Sequence, residues 1–419
     1  MAATRSVNAV SRALRVGSGT VLGGRAGLAV DPDLLARLAA GRPVALVSGT
    51  NGKTTTTRLL AVAVADGARP DDTPPDGGAA VVTNSTGANM PAGHVAALAA
   101  GPADVPVVLE VDESYLPRLV KTVRPSAVVL LNLSRDQLDR TNEVRMLANR
   151  WRDGLAAATG TTVVANADDP MVAWGAGGAP NVVWVAAGLG WRLDAVGCPA
   201  CEGRITFAER GDGWGCTCGF ARPPVDVWLD DTGGDAVVGC WSDGRRLPVV
   251  LGIPGRFNQA NAAVAAAAAE ALGVPAERAV AAMSTVGEVA GRFTVRPIGG
   301  VPTRLMLAKN PAGWKELLDL VRPGTGPVVV GINARIADGR DPSWLWDVPF
   351  EQLAGRTVVA TGERCFDLAV RLRYAGVAHT TVRDSVDAVR TAARQPSTGA
   401  GPVEFIGNYT AFADLLARR

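Results

Sequence analysis

The sequence predicts an α/β protein in two parts, a P-loop nucleotide-binding domain with a mostly parallel sheet and a four-cysteine insert, then a smaller Rossmann-like α/β domain. Three observations predict it. Short apolar runs recur along the chain, each ending in a polar, Asn- or Asp-bearing turn and each followed by helical patterning, which is how parallel strands and crossover helices read in sequence. The first such run, Val44 to Val47, opens through Ser48-Gly-Thr-Asn-Gly-Lys-Thr54 into a helical segment. From about Pro297 the strand-loop-helix rhythm starts afresh.

At 419 residues the chain is too long for one core, because single cores stop growing at about 250–300 residues. We divide it into a lead-in (1–40), a central domain (41–296) with its insert at about 195–225, and a C-terminal domain (297–419). A 47% apolar and 20% charged composition is ordinary for a globular chain, and a net charge of +2 gives no bulk attraction for nucleic acid. Any anionic ligand must be held locally. No run of about 18 uncharged apolar residues offers a membrane span, and the N-terminus lacks the apolar core of a secretory signal, so the expected location is the cytoplasm.

The lead-in has helical patterning over 7–16 and 34–40 with a glycine-rich break over 17–27. The glycine-bearing turn that follows Val44–Val47 is a phosphate cradle. Glycine lets the backbone approach an anion, the helix start aims N–H groups at it, Lys53 adds a point charge, and Thr54 offers a hydroxyl to Mg²⁺. The stricter nucleotide-binding spacing asks for glycine at 47, where this chain has Val47. The expected nucleotide contacts are Gly49, Thr50, Asn51, Gly52, Lys53, Thr54 and Thr55.

Ala79 to Thr83 reads as a short strand delivering the polar loop Asn84-Ser-Thr-Gly-Ala-Asn89 beside the phosphates. Val105 to Val111 reads as a strand ending in Glu110, Asp112 and Glu113, acids that can reach a nucleotide-bound metal from the carboxyl end of a parallel sheet. Strands at 127–133 and 162–165 end in Ser134-Arg-Asp-Gln-Leu-Asp-Arg140 and Asn166-Ala-Asp-Asp-Pro170. Cys198-Pro-Ala-Cys201 and Cys216-Thr-Cys218 form two knuckles whose four thiolates suit a closed, structural Zn²⁺ site, in an insert too short to bury a core alone. Farther on, Gly255-Arg-Phe-Asn-Gln-Ala-Asn261 enters an alanine-rich helix. Asn258 and Asn261 share a face there and serve either to read an adenine edge or to cap the helix.

Together these motifs resemble the Mur ligase family: Gly-Thr-Asn-Gly-Lys-Thr54, the acid-ended strand at Leu109–Glu113, Asn166-Ala-Asp-Asp-Pro170, and Gly255-Arg-Phe-Asn258 with Asn261. The resemblance is greatest to the branch that amidates lipid II with nitrogen from a separate subunit. It is carried by Thr83–Asn89, Asn132–Arg140, the cysteine insert, Leu307-Ala-Lys-Asn-Pro-Ala-Gly313 and Asp338-Gly-Arg-Asp-Pro-Ser-Trp-Leu-Trp-Asp347. The resemblance implies a Mur ligase-like fold and ATP-driven activation of the D-glutamate α-carboxylate in the lipid II stem peptide, at the inner face of the membrane. It assigns Thr54 and Glu110 to Mg²⁺, Asn258 to adenine, Asp169 to the nucleotide and Arg292 to the phosphates. Where many Mur ligases have a histidine in the turn after the fourth strand, this chain has Gln137, which argues against a second metal site formed in the same way.

Glutamine hydrolysis needs a cysteine nucleophile, a histidine base and an orienting carboxylate. The two lone cysteines, Cys240 and Cys365, and the two histidines, His94 and His379, sit in no such motif. A partner glutaminase is therefore expected to supply the ammonia, and the resemblance implies that this partner is a class I glutaminase of the GatD kind. The resemblance adds that an aspartate of the C-terminal domain completes the partner's Cys-His pair, with Asp341 and Asp347 the candidates. A rival reading is a self-sufficient amino-acid ligase of the Mur or folylpolyglutamate type, which needs no glutaminase.

Overall fold

The computed structural model describes residues 21–67, 81–84, 87–135, 144–209, 213–231, 237–289, 293–321, 326–395 and 401–418. Contacts divide the chain into two compact units, one within Met1–Leu133, Glu143–Gly252 and Arg256–Gly287, the other within Ser134–Asn142, Ile253–Gly255 and Glu288–Arg419.

The first unit is built on a nine-stranded sheet. Its strands are β1 (Val44–Ser48), β2 (Val82–Thr83), β3 (Val107–Glu110), β4 (Ala127–Leu130), β5 (Thr162–Asn166), β6 (Val182–Ala186), β9 (Val227–Asp230), β10 (Val238–Trp241) and β11 (Arg246–Pro248). They lie in the order β11-β10-β9-β6-β5-β4-β1-β3-β2. From β2 to β9 neighbours are parallel, whereas β9, β10 and β11 form an antiparallel edge. β1, β3 and β4 are buried at every position, which is why they read as unbroken apolar runs, as strands covered on both faces do. β1 lies between β3 and β4, with Val47 opposite Glu110 and Ser48 opposite Leu130. That register brings the carboxyl ends of all three strands, and the loops after them, to one edge of the sheet. A two-stranded ribbon, β7 (Thr206–Phe207) with β8 (Trp214–Gly215), belongs to the cysteine insert.

The second unit has a six-stranded sheet of β12 (Val295–Ile298), β13 (Val301–Leu307), β14 (Val328–Gly331), β15 (Thr357–Thr361), β16 (Ala378–Thr381) and β17 (Val403–Gly407). The order is β12-β13-β17-β14-β15-β16, parallel except for the β12–β13 pair.

Three expectations need correction. The boundary at 297 falls inside β12, whose pairing with β13 places it wholly in the second unit, and that unit's long continuous stretch starts at Glu288. The glycine-rich break at 17–27 is in part the helix Val21–Val30. Its glycines serve contact rather than a turn: a Cβ on Gly24 would stand 1.8 Å from the Ala92 carbonyl oxygen, so only glycine permits this approach to the helix Pro91–Ala100. The lead-in is also no separate piece, because Leu34, Leu35 and Ala39 join the core cluster of β1, β3 and β4. The expected helix at 7–16 lies outside the described residues.

Candidate functional site

The turn after β1 has the backbone geometry that a phosphate cradle requires. Gly49 has φ +142° and Gly52 φ +85°, conformations that side chains with a Cβ rarely adopt. Both glycines are also crowded. A Cβ at 49 would meet the Leu131 Cβ at 2.9 Å and the Asn132 nitrogen at 3.0 Å, and one at 52 would meet the Asn261 Oδ1 at 2.9 Å. The helix Lys53–Gly67 begins immediately after, and the first N–H groups of a helix lack intrahelical partners.

Asn132, two residues past the end of β4, braces this turn. Its backbone oxygen accepts from Thr50 N at 2.9 Å, its Oδ1 accepts from Asn51 N at 2.8 Å, and its Nδ2 donates to the Asn51 oxygen at 3.1 Å. Sequence reading gave Asn132 no role. The signal was its place at the carboxyl end of the strand beside β1, where its side chain reaches across to the neighbouring loop.

Lys53 Nζ lies over the turn, donating to the Gly49 oxygen at 2.5 Å and the Thr50 oxygen at 3.2 Å, and pairing with Glu113 Oε1 at 3.1 Å. Thr54 Oγ1 donates to Glu110 Oε2 at 2.9 Å. The two residues expected to hold Mg²⁺ are therefore side by side. Adjacent ligands of an octahedral Mg²⁺, with bonds of about 2.1 Å, stand about 3 Å apart, so this pair fits the ion. Asp112 is turned to a local task instead, its Oδ1 accepting from Ser114 N and Oγ.

Asn258 and Asn261 occupy the third and sixth positions of the helix Arg256–Glu270, too far in for N-caps, so the capping reading is withdrawn. The Asn261 side chain occupies the space that a Cβ on Gly52 would need, and Asn258 is fully buried. Asp169 departs from expectation. Its carboxylate is wholly buried, Oδ1 accepting from Met171 N and Val172 N to cap the helix Pro170–Ala176 and Oδ2 accepting from Leu133 N. Burial pushes its carboxyl up to about 6. Both oxygens are engaged inside the protein, so Asp169 supports the site by tying β5's turn to the residue after Asn132. Arg292 and Gln137 lie outside the described residues.

In the insert, Sγ of Cys198 is 3.7 Å from that of Cys218 and Sγ of Cys201 is 3.5 Å from that of Cys216, and all four sulfurs lie within 4.8 Å of one another. Sulfurs on a zinc tetrahedron with bonds of about 2.3 Å stand about 3.8 Å apart. Each knuckle ends on a left-handed residue, Glu202 (φ +64°) and Gly219 (φ +92°). Among the described residues this is the one metal-ready cluster of three or more such side chains. The insert is seated on the first unit: Trp214 Nε1 donates to the Ala167 oxygen at 3.0 Å, and Arg222 pairs with Asp168 at 2.6 Å.

In the second unit, Asp341 caps the short 3₁₀ helix Pro342–Trp346 by accepting from Ser343 N at 2.9 Å. Asp347 closes the same helix and pairs with Arg135 at 3.3 Å. Arg371 is buried beneath this segment and donates to the Leu345 and Val348 oxygens at 3.2 and 2.8 Å. Trp344 is buried, whereas Trp346 is 53% exposed. Cys240 and Cys365 are both buried. His94 Nε2 is 2.9 Å from the Glu110 oxygen, and His379 Nδ1 is 2.9 Å from the Val377 oxygen. These residues make no exposed nucleophile-base pair.

Comparison with known proteins accounts for both halves of this geometry. The model of the Mur ligase middle domain matches residues 47–186, and that of the MurT ligase C-terminal domain matches residues 307–412. The chain thus carries a match to the Mur ligase middle domain and a second match to the MurT ligase C-terminal domain. The middle-domain match holds the phosphate turn, Glu110 and Asp169, and the MurT C-terminal match holds both Asp341 and Asp347. Two curated relatives carry the name lipid II isoglutaminyl synthase (glutamine-hydrolyzing) subunit MurT. The protein from Streptococcus pneumoniae is 29% identical over 97% of this chain and 94% of its own length. The one from Staphylococcus aureus strain COL is 29% identical over 95% and 92%. Solved structures share the Mur ligase fold. A pseudomurein peptide ligase type C from Methanothermus fervidus aligns at TM-score 0.67 with 20% identity, covering 90% of this chain and 79% of that one. MurF from Acinetobacter baumannii aligns at 0.63 with 16% identity, covering 91% and 78%.

Proposed function

We propose that this chain is the ATP-dependent subunit of a lipid II isoglutaminyl synthase, working with a GatD-like class I glutaminase. The γ-phosphoryl group of ATP passes to an oxygen of the D-glutamate α-carboxylate, leaving ADP. Ammonia then attacks the acyl carbon, phosphate departs, and the carboxylate becomes the amide of D-isoglutamine with release of a proton. The observation that carries this reading is the union, in one chain, of the Gly49–Thr54 phosphate turn with a C-terminal domain of the MurT kind.

Phosphoryl transfer depends on positioning and charge neutralisation more than on covalent help. The backbone from Gly49 to Thr55 and the Lys53 ammonium hold the phosphates, with Thr54 and Glu110 as the Mg²⁺ ligands. Mg²⁺ supplies charge neutralisation across the transferring phosphate. Asn258 stays assigned to the adenine side, with Asn261 against the turn. The second unit serves the glutaminase, through Asp341 or Asp347. No helix among the described residues is long and apolar enough to cross a membrane, which suits a cytoplasmic enzyme meeting lipid II at the inner membrane surface.

The test is to supply purified chain with lipid II, ATP and Mg²⁺, and then ammonium, glutamine, glutamine plus a GatD-like subunit, or free amino acids. We expect the mass loss of carboxyl-to-amide conversion with ammonium and with glutamine plus the partner. Amidation from glutamine by the chain alone, or addition of a free amino acid, overturns the reading.

The four sulfurs are assigned a structural Zn²⁺. Metal analysis should find one zinc per chain, and Cys216→Ser should abolish it and open the insert to proteolysis between Cys198 and Cys218. Full zinc content in the variant counts against the assignment.

A further inference from the structure

Two buried side chains behind the phosphate turn have no part in the reaction described so far. Asn84 follows β2 and is 4% exposed, and His94 on the helix Pro91–Ala100 is 0% exposed. Both converge on the peptide unit of one residue, Glu110. Asn84 Oδ1 accepts from Glu110 N at 2.8 Å, and its Nδ2 donates to the Glu110 oxygen at 2.8 Å and to the Ala88 oxygen at 3.0 Å. His94 Nε2 bonds that same Glu110 oxygen at 2.9 Å. β2 pairs with β3 through Val82 with Val107 and Thr83 with Val108 and goes no further, so the Asn84 amide takes over the ladder where the backbone stops and carries it to the end of β3.

The His94 arrangement is poor for stability alone. Among the described residues its buried Nδ1 has no hydrogen-bond partner, and an orphaned buried polar atom is destabilising. An apolar side chain would fill the space without that cost. What it would not provide is the Nε2 contact with Glu110.

We propose that Asn84 and His94 are positioning residues for divalent-metal binding, holding the Glu110 backbone so that Oε2 meets the cation beside Thr54 Oγ1. The idea rests on the reading of Glu110 as a Mg²⁺ ligand. A metal ligand works within a narrow geometric tolerance, and Mg²⁺ demands near-ideal octahedral placement. Groups that hold the ligand's own backbone therefore act on cation affinity, and leave metal-free nucleotide contact alone.

The experiment measures Mn²⁺ affinity by paramagnetic resonance, with a non-hydrolysable ATP analogue present, and the analogue's own affinity in chelator. His94→Leu should weaken Mn²⁺ by about three- to tenfold, the size of one lost hydrogen bond, and Asn84→Ala by at least as much because it removes both of its bonds to Glu110, with analogue affinity in chelator unchanged. His94→Gln, whose Nε2 can occupy a similar place, should restore most of the loss in His94→Leu. Glu110→Gln is the control. If it leaves Mn²⁺ affinity intact, the reading of Glu110 has failed. If it weakens Mn²⁺ while His94→Leu and Asn84→Ala do not, or if Gln at 94 gives no rescue, the positioning proposal is overturned. Should Asn84→Ala not fold, the His94→Leu and His94→Gln pair decides alone.

Discussion

Lys53→Ala is expected to reduce acyl-phosphate formation by at least about 10²–10³-fold, the usual result of removing one preorganised charge from a transferring group. The loss should persist with free ammonium, because it precedes nitrogen delivery. Lys53 Nζ lies among the Gly49 oxygen, the Thr50 oxygen and Glu113, so its charge is held over the turn by partners that the substitution leaves in place. Arginine should not rescue, since a planar guanidinium cannot stand in for a compact ammonium in a space this close to backbone. The check is single-turnover release of ADP with lipid II, alongside a thermal melt showing the variant folded. Near-normal ADP release would remove Lys53 from the phosphate site.

Substituting Asn at Asp341 or at Asp347 should separate the two halves of the reaction. For whichever aspartate completes the partner's triad, glutamine-driven amidation should fall by about 10³–10⁴-fold, as when a triad carboxylate becomes an amide, while ammonium-driven amidation is unchanged. The structure makes both variants good tests. Asn caps a helix start about as well as Asp, so Asp341→Asn retains the bond to Ser343 N. The Asp347–Arg135 pair is exposed on both sides, and pairs of that kind contribute little to stability. The segment between them is held independently by Arg371 through the Leu345 and Val348 oxygens. If both variants use glutamine normally, neither aspartate serves the glutaminase.

Much of this molecule was legible because its central strands are buried on both faces. β1, β3, β4 and β5 read as apolar runs with polar turns after them, and the turn after β1 announced itself through glycine, lysine and threonine together. The antiparallel edge β9–β11 was not legible. β9 alternates burial over Val227–Asp230 and β11 is exposed at both ends, so neither gives a continuous apolar signal. Asn84, Asn132 and His94 were visible only as residues of polar loops or helices, because their partners are 26, 81 and 16 residues away. Asp169 misled for a related reason: an acid in the turn after a parallel strand faces either the ligand or the helix it opens, and only coordinates show which backbone N–H groups receive it.

The cysteine insert rests on Ala167 and Asp168, one residue from the carboxylate that holds Leu133, itself next to the asparagine bracing Thr50 and Asn51. Were the four sulfurs to hold zinc as proposed, losing the metal would loosen the seat on Ala167 and Asp168, and through Leu133 and Asn132 that slack would reach the glycine turn at Thr50 and Asn51.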